Sequence, residues 1–330
     1  MYLPLTLLFL IFSLCVADED KTKSITVLGL GGMGRAVAQC FASKGYQVHA
    51  WNRGKESRDN VRGMDNITVH DDLKEAVDSS ALVAMVVVAD RNLQAATSII
   101  NSVPPTSWKD KTLIQYTTHE PTSIVAQERL MESLGAKLVG GQIVAVPHLV
   151  CTNGGSYLVS TTDDSLLKDT LPVLEQLGPV TTYPGNVGYA ALAYLGLIQS
   201  LQFGLAGHEL SLLLMKRYGA PRKLVEQYLE LIQTNVPTYF KRFSGLATKA
   251  VLENDYESLA RTFLPSDAYL EILEMQAYFC EQMGVVLEDT YLAQYLNVFR
   301  RLPKDGSVGP TAVVEHYMTL DDTDDKSSDL

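Results

Sequence analysis

The sequence predicts a doubly wound α/β domain followed by an all-α domain, with one long helix joining the two. Three observations lead to this fold class. Short runs rich in Val, Ile and Leu alternate with mixed polar and apolar segments as far as residue 185. A glycine-rich motif directly follows the first of those runs, and beyond residue 186 the chain becomes dense in Ala and Leu. The length of 330 residues also favours two domains, since a single core seldom serves more than about 250–300 residues.

The first domain, residues 22–185, is predicted to be a parallel sheet covered by helices. Continuous apolar runs such as residues 82–88 suit central strands that are buried on both faces. The strand candidates are residues 25–29, 47–51, 67–69, 81–88, 112–116 and 136–144. The helices between them are predicted at residues 35–44, 72–79, 92–100 and 122–134, with Gly45 suited to end the first helix.

The loop after the first strand, residues 29–34, reads GLGGMG and has the spacing G-x-G-x-x-G. Gly29 allows the tight turn, Gly31 lets the backbone approach a pyrophosphate, and Gly34 permits close packing of the helix on the strand. The free N–H groups that open the helix would face the anion. The motif therefore predicts a dinucleotide-binding domain of the Rossmann type. The remaining loop residues expected at the cofactor are Leu30, Gly32 and Met33.

The end of the second strand indicates which dinucleotide binds. NAD sites usually place Asp or Glu about 20 residues beyond the first glycine, where the carboxylate binds the ribose hydroxyls. Here the chain has Asn52 and Arg53, with Lys55 close behind. Asn52 can hydrogen-bond a 2′-phosphate, and Arg53 can stack on it or make charge-assisted bonds. The alternative is that Arg53 is an ordinary surface residue; we expect NADP(H).

The second domain, residues 186–320, is predicted to be helical throughout. A turn signal at Pro184 and Gly185 marks its start, and residues 188–217 lack proline and should form one helix about 45 Å long. Further helices are predicted at residues 221–232, 237–252, 256–262, 266–283, 289–300 and 311–319. Residues 321–330 (DDTDDKSSDL) are expected to be an acidic disordered tail.

Composition and charge exclude several classes of function. The net charge is −11, which argues against nucleic-acid binding because that function uses a basic face. The sequence has no C-x-x-C pair and no close-spaced histidine cluster, so we expect no metal site. It also has no P-loop and no nucleophile elbow of the hydrolase type.

The amino-terminal segment, residues 1–17, reads MYLPLTLLFLIFSLCVA and carries no charged side chain. Its length and its small terminal residues predict a cleaved signal peptide, although the basic residues that usually open one are missing. A signal-anchor and a mistaken start codon are the alternatives. Cleavage implies the secretory pathway, either secretion or the lumen of the endoplasmic reticulum; otherwise we expect a cytoplasmic protein.

Entry into the secretory pathway would expose the chain to glycosylation and to disulfide formation. Asn66-Ile67-Thr68 is a glycosylation sequon. After cleavage Cys40, Cys151 and Cys280 would remain. This odd number argues against a disulfide framework but allows one pair.

These motifs together resemble the β-hydroxyacid dehydrogenase superfamily, which includes 3-hydroxyisobutyrate and 6-phosphogluconate dehydrogenases. The resemblance rests on the GLGGMG loop, on Trp51-Asn52-Arg53 and on the long helix after residues 184–188 (PGNVG). Within the superfamily the chain is most similar to imine reductases and reductive aminases. The narrower likeness rests on residues 113–118 (LIQYTT), residues 140–147 (GGQIVAVP) and the stretch 177–205.

One departure from the superfamily concerns the reaction. The hydroxyacid dehydrogenases carry a lysine six residues after the glycine that matches Gly188, and this chain has Tyr194 there. A cationic donor suits a carbonyl–alcohol reaction because it stabilises an oxyanion. A protonated imine is already an electrophile that a cationic lysine would repel, whereas a neutral phenol can act as a proton donor or orient the nitrogen. The alternative is that Tyr194 only packs at the domain interface.

The resemblance implies further site residues. Gln115 stands where related reductive aminases have Asn, so a carboxamide that orients substrate or nicotinamide ribose is expected there. His119 lies in the same loop, and Gln202 lies two turns beyond Tyr194 on the long helix. The cofactor contacts expected at the ends of the fourth and fifth strands are Val88 and Thr117.

The resemblance also implies a homodimer in which two helical domains wrap around each other. Three functions are then consistent with the sequence. The first is an NADPH-dependent reductase of C=N bonds acting on an imine or an amine–carbonyl pair. The second is an NADPH-dependent carbonyl or hydroxyacid reductase of the 3-hydroxyisobutyrate dehydrogenase type. The third is a non-catalytic, dimeric NADP-binding protein.

Overall fold

The computed structural model describes residues 23–89, 93–253 and 266–301. The predicted signal segment, the predicted helices at 256–262 and 311–319 and the acidic tail lie outside these residues. The predicted fold class is confirmed: a Rossmann-type sheet with flanking helices is followed by a helical region. The contact pattern divides the chain into two compact units between Ile198 and Gln199, inside the long helix.

The first unit contains one sheet, whose strand order is β3-β2-β1-β4-β5-β6-β7-β8. The strands are β1 (Ser24–Leu28), β2 (Gln47–Trp51), β3 (Ile67–Val69), β4 (Leu82–Met85), β5 (Thr112–Gln115), β6 (Lys137–Val144), β7 (Ser156–Thr161) and β8 (Val180–Pro184). The first six pair in parallel, β7 is antiparallel to β6, and β8 is parallel to β7. The order places the carboxyl ends of β1 and β4 side by side, at the reversal of strand order where ligands of such sheets bind.

The helices of the first unit cover both faces of this sheet. They are α1 (Gly32–Ser43), α2 (Lys55–Asp59), α3 (Leu73–Asp78), α4 (Gln94–Asn101), α5 (Pro105–Trp108), α6 (Pro121–Ser133), α7 (Asp164–Leu174) and the first part of α8 (Tyr189–Tyr218). One core cluster joins α1 to the sheet through Phe41 and Val48. A second cluster lies around Trp108, Leu113 and Met131. The named residues of both clusters are fully buried, so each face of the sheet is apolar.

Polar contacts on β7 fix the start of the long helix α8. The Ser160 hydroxyl donates to the Val187 carbonyl at 2.6 Å and accepts the Ala190 N–H at 3.1 Å. The Asn186 side chain accepts the Gly188 N–H at 2.8 Å. Gly140 on β6 leaves room for this approach, because a Cβ there would lie 2.5 Å from the Val187 carbonyl oxygen. The thirty-residue helix expected from the sequence therefore begins on the sheet.

The second unit is helical, as expected. Beyond the rest of α8 it contains α9 (Arg222–Glu253), α10 (Ser266–Gln282) and α11 (Tyr291–Arg301). Two helices were predicted on either side of Pro237, yet α9 continues through this residue. Proline removes one backbone donor and its ring crowds the carbonyl four residues earlier, which kinks or weakens a long helix without necessarily ending it. A small core of Leu273, Ala277, Leu296 and Phe299 joins α10 and α11.

Candidate dinucleotide site

The GLGGMG loop has the backbone geometry that its glycines predict. Gly29 adopts a φ of +99°, and a Cβ there would lie 2.2 Å from the Val86 carbonyl oxygen. A Cβ on Gly34 would lie 1.9 Å from the Gly29 carbonyl oxygen. Around Gly31, in contrast, no atom lies within 4 Å of the Cβ position. The loop is thus closely packed behind and open in front, where a pyrophosphate would approach.

The start of α1 supplies the donors for such an anion. Gly31 is the N-cap residue, and the Arg35 N–H makes the first bond of the helix to the Gly31 carbonyl at 2.9 Å. The N–H groups of Gly32, Met33 and Gly34 come before Arg35 in the chain. No carbonyl of the same helix lies one turn earlier to accept their hydrogen bonds. Met33 is half-buried, and Leu30 is buried in the core behind the loop. An N-terminus of this kind favours phosphate oxygens.

Asn52 connects the glycine-rich loop to the end of β2. Its Oδ1 accepts the Leu30 N–H at 3.0 Å, and its Nδ2 donates to the Gly54 carbonyl at 3.2 Å. One Nδ2 hydrogen remains for a ligand. A neutral carboxamide therefore stands where NAD-binding domains usually carry a carboxylate, so a 2′-phosphate would meet no negative charge at this position.

The cations around the β2 turn differ in what they bind. Lys55 pairs with Asp59 at 2.8 Å. Arg58 pairs with Asp71 at 3.1 Å and donates to the carbonyls of Asn52 and Arg53 at 2.6 and 3.1 Å. Arg53 is exposed, and within residues 23–89, 93–253 and 266–301 its guanidinium makes no ion pair. The sequence analysis did not identify Arg58. Its side chain bonds to the backbone of the turn, and the Arg53 side chain is left to bind a ligand.

The ends of β4 and β5 are joined by Thr117. Its hydroxyl accepts the Val87 N–H at 3.2 Å, and its own N–H donates to the Gln115 Oε1 at 3.0 Å. Thr117 is buried, so a direct contact with a cofactor is not open to its side chain as placed. Val88, also expected at the cofactor, is 79% exposed just beyond β4.

The structure gives Gln115 a role different from the expected one. Its side chain is completely buried, its Nε2 donates to the Gln127 Oε1 at 2.7 Å, and its Oε1 accepts the Thr117 N–H. Both ends of the carboxamide are thus occupied inside the protein. In this conformation Gln115 supports the loop after β5, and its role towards a substrate stays a prediction.

His119, in the same loop, is also buried. Its Nδ1 bonds to the Thr117 carbonyl, and the Gln142 Nε2 lies 3.3 Å from its Nε2. Burial lowers the pKa of this imidazole, which outweighs the opposite effects of the Thr117 carbonyl and Glu120. A neutral ring with a proton on Nδ1 satisfies both contacts, since a carbonyl can only accept.

Tyr194 lies on α8, one turn beyond the buried residues Ala190 and Ala191. Its side chain is half-buried. No hydrogen bond to its hydroxyl occurs in the part of the chain that the structure describes, so this group is free to meet a ligand. Gln202 lies two turns further along the same helix and is exposed.

The loop after β6, residues 145–155, contains an unexpected covalent link. Cys151 forms a disulfide with Cys40 of α1, with the two Cα atoms 5.5 Å apart. Cys280 is a free, buried thiol. The sequence allowed one pair but could not say which, because the partners are 111 residues apart in the chain.

A cavity of about 1240 Å³ lies wholly within the second unit. Helices α8, α10 and α11 line it, through residues such as Phe203, Leu210, Cys280 and Tyr295. None of the residues predicted to bind cofactor or substrate is among them. Its apolar wall suits a packing partner better than a phosphate-bearing ligand.

Comparison with known proteins agrees with this architecture. Residues 24–185 match the family model of the NAD-binding domain of 6-phosphogluconate dehydrogenase. An NADPH-dependent reductive aminase from Aspergillus oryzae is 23% identical over 181 residues, which cover 54% of this chain and 59% of that protein.

Solved structures extend the likeness to the helical region. An imine reductase from Bacillus cereus has a TM-score of 0.75 at 21% identity, covering 90% of this chain and 99% of that one. An imine reductase from Myxococcus stipitatus in complex with NADP+ has a TM-score of 0.77 at 20% identity, covering 88% and 99%. A reductive aminase from Aspergillus terreus in complex with NADPH and ethyl levulinate has a TM-score of 0.77 at 20% identity, covering 90% and 100%. Residues 24–185 therefore match the NAD-binding domain of 6-phosphogluconate dehydrogenase, in a chain that has the fold of the imine reductases.

Proposed function

We propose that this protein is an NADPH-dependent oxidoreductase that reduces C=N bonds. The observation that carries the proposal is the half-buried Tyr194 with a free hydroxyl, in place of lysine, on the long helix of an imine-reductase fold. The dinucleotide loop with an uncharged Asn52 beside an unpaired Arg53 supports NADP(H) as the cofactor. When bound, the reduced cofactor supplies a hydride to the electrophilic carbon.

The chain's own residues then have separate tasks. The N–H groups of Gly32, Met33 and Gly34 bind the pyrophosphate, and Arg53 with the free Nδ2 hydrogen of Asn52 binds the 2′-phosphate. The Tyr194 hydroxyl donates a proton to the nitrogen of a neutral imine, leaving a tyrosinate that water reprotonates, or it orients the nitrogen of an imine that is already protonated. A neutral donor does not repel a protonated imine, as a lysine would.

The central experiment measures oxidation of NADPH with a panel of cyclic imines, amine–ketone pairs, 2-oxo acids and hydroxyacids. Turnover is expected with the C=N substrates. Tyr194→Phe should lower kcat about 100-fold or more, because general acid catalysis typically contributes that much. The matched control is Tyr189→Phe, an exposed tyrosine of the same helix, which should leave kcat unchanged.

Two outcomes would contradict this proposal. Full activity of Tyr194→Phe would remove Tyr194 from the mechanism. NADPH binding without turnover on any member of the panel would favour a non-catalytic binding protein.

Cofactor choice has its own test. Arg53→Ala should raise KM for NADPH about tenfold and leave KM for NADH unchanged, since a hydrogen bond to a charged group contributes roughly 1.5–3 kcal/mol. Lys168→Ala, which removes an exposed cation from α7, is the control. An equal change in KM for both cofactors would show that Arg53 does not recognise the 2′-phosphate.

We also propose a homodimer formed through the helical region. Leu201 and Leu205 of α8 are 52% and 50% exposed, and on α9 Tyr239 and Phe240 are exposed as well. Helix α8 is long and apolar enough to cross a membrane by length and composition. A second copy is the better match for this surface, because α9 carries charged residues among its apolar ones, as in Arg222, Glu226 and Lys241.

For cellular location we propose the secretory pathway. The Cys40–Cys151 disulfide supports it, because such bonds persist in oxidising compartments. Asn66 of the sequon is exposed where an oligosaccharide could project. Expression in secretory cells should yield a mature protein that begins near Asp18. Asn66→Gln should change its mobility on a gel, because the oligosaccharide is lost, whereas Asn60→Gln should not. An unprocessed protein in the cytosol would contradict this assignment.

A further inference from the structure

The loop after β6, residues 145–155, lies against the start of the dinucleotide-binding helix. A Cβ on Gly32 would be 3.5 Å from the Pro147 Cγ, so Pro147 lies beside Gly32. Gly32 is the first residue of α1 and carries one of the N–H groups assigned to the pyrophosphate. We call residues 145–155 the rim loop, because it forms one wall of the proposed pyrophosphate site.

The rim loop is attached to α1 a second time, further along the helix. Cys151 forms its disulfide with Cys40, six residues after Gly34, and the Ser43 hydroxyl lies 3.9 Å from the Cys151 sulfur. Packing at Pro147 and the sulfur contacts at Cys151 thus hold the loop alongside α1. Both attachments lie on the helix that presents the phosphate donors.

The remaining hydrogen bonds of the rim loop point elsewhere. The Cys151 N–H donates to the Leu177 carbonyl at 2.9 Å, in the turn between α7 and β8. The Thr152 hydroxyl donates to the Leu149 carbonyl within the loop at 2.7 Å. Without the S–S bond, these contacts would keep the loop on the α7–β8 turn, and its attachment to α1 would depend on the Ser43–Cys151 contact and on packing at Pro147 and Val150.

We propose that the Cys40–Cys151 disulfide is a redox-sensitive clamp that sets the affinity for the dinucleotide. As a disulfide it keeps the rim loop against Gly32 and the pyrophosphate site formed. As a pair of thiols it lets the loop leave α1, and the competent fraction of the protein falls. Both cysteines are positioning residues, and the proposal rests on the dinucleotide site proposed above.

The redox step needs a thiol–disulfide partner such as glutathione. A glutathione thiolate attacks the Cys151 sulfur, which is half-buried, while Cys40 is only 3% exposed. A mixed disulfide forms at Cys151 and Cys40 leaves as a thiolate. A second glutathione thiolate releases Cys151 and gives oxidised glutathione, so two electrons reach the protein. Two protons complete the cysteine thiols, and oxidised glutathione reverses the sequence.

The test compares NADPH binding by the full-length protein in its two redox forms. The Kd for NADPH, followed by cofactor fluorescence, should rise about 3- to 10-fold on reduction, because an apparent Kd scales inversely with the competent fraction. The kcat at saturating NADPH should change less than twofold. Oxidised glutathione should restore the original Kd. Cys151→Ser should have the weaker Kd with or without reductant, and Cys280→Ser should respond like the natural protein.

Each other result has a distinct meaning. Equal Kd values in both forms, with circular dichroism showing the same folded state, would overturn the clamp while the dinucleotide site stands. Peptide mapping that finds Cys40 and Cys151 as thiols in protein purified without reductant would overturn it as well. Failure to bind NADPH in either form would overturn the proposed function itself, and the clamp with it.

Discussion

The two units of the chain differ in how completely they bury their apolar residues. In the first unit, described at residues 23–89 and 93–198, both faces of the sheet are covered, and side chains as large as Trp108 and Phe41 are fully buried. In the second unit the described core comprises Leu273, Ala277, Leu296 and Phe299, whereas many large apolar side chains of α8 and α9 stay exposed.

This difference shows where each unit obtains its stability. A sheet with helices on both faces closes its own core, so the first unit has what it needs within one chain. Long helices with exposed apolar stripes leave surface that water does not favour, and in the proposed dimer the second copy would cover it. We therefore expect mutations in the first unit to act on cofactor binding and folding, and mutations in the second to act on assembly.

The largest effect is expected from charges placed on the exposed stripe of α8. The double variant Leu201→Asp and Leu205→Asp should convert a dimer to a monomer, because burying two carboxylates in an apolar interface is strongly unfavourable. Light scattering after gel filtration measures the mass directly. Met64→Asp replaces an exposed apolar residue of the first unit and should leave the dimer intact. If the natural protein is an active monomer, the second unit does not need a partner and the proposed contrast between the two units is wrong.

A second test uses two glycines of one loop. Gly34→Ala places a methyl group 1.9 Å from the Gly29 carbonyl oxygen, so the backbone must move. We expect NADPH affinity to fall at least about 100-fold and stability to fall by about 2–4 kcal/mol. Gly31→Ala meets no atom within 4 Å, so its Tm should be unchanged while NADPH affinity still drops. Normal NADPH binding by Gly31→Ala would show that the pyrophosphate does not approach there.

The smallest effect concerns pH. Burial lowers the pKa of His119, and burial with the charge of His70 lowers that of His49, from an ordinary value of 6.5. The unfolded chain then binds more protons below pH 6.5, so the stabilisation present above that pH is lost as the pH falls. Thermal unfolding of the first unit should shift downward by a few degrees, about 1–3 °C, between pH 7 and 5.5. His119→Gln should reduce this shift, and His148→Gln, at an exposed position, should not.

The sequence predicted the parts of the fold that depend on local pattern. The predicted bounds of β2 and β3 agree with the structure, and those of the other four predicted strands differ by a few residues. Strands β7 and β8 were missed. The β8 segment, VTTYP, is a polar edge strand, and β7 follows two glycines and breaks the parallel alternation that guided the prediction. Neither signal is apolar enough to be recognised by itself.

The candidate site could also be predicted only in part. Motif spacing identified the glycine loop, because backbone geometry requires glycine at positions 29 and 34. It could not show that Gln115 bonds inward to Gln127, or that Arg58 supports the β2 turn. Both depend on contacts between elements, which residue type alone does not reveal.

The Cys40–Cys151 bond also changes how the chain behaves when it is cut. The two cysteines are 111 positions apart in the sequence, and the chain between them, from α1 through β6, forms one covalent ring. A single proteolytic cut anywhere inside that ring leaves two fragments that migrate as one molecule on a non-reducing gel. They separate only after reduction, so the strands on both sides of such a cut would stay tethered in the same sheet.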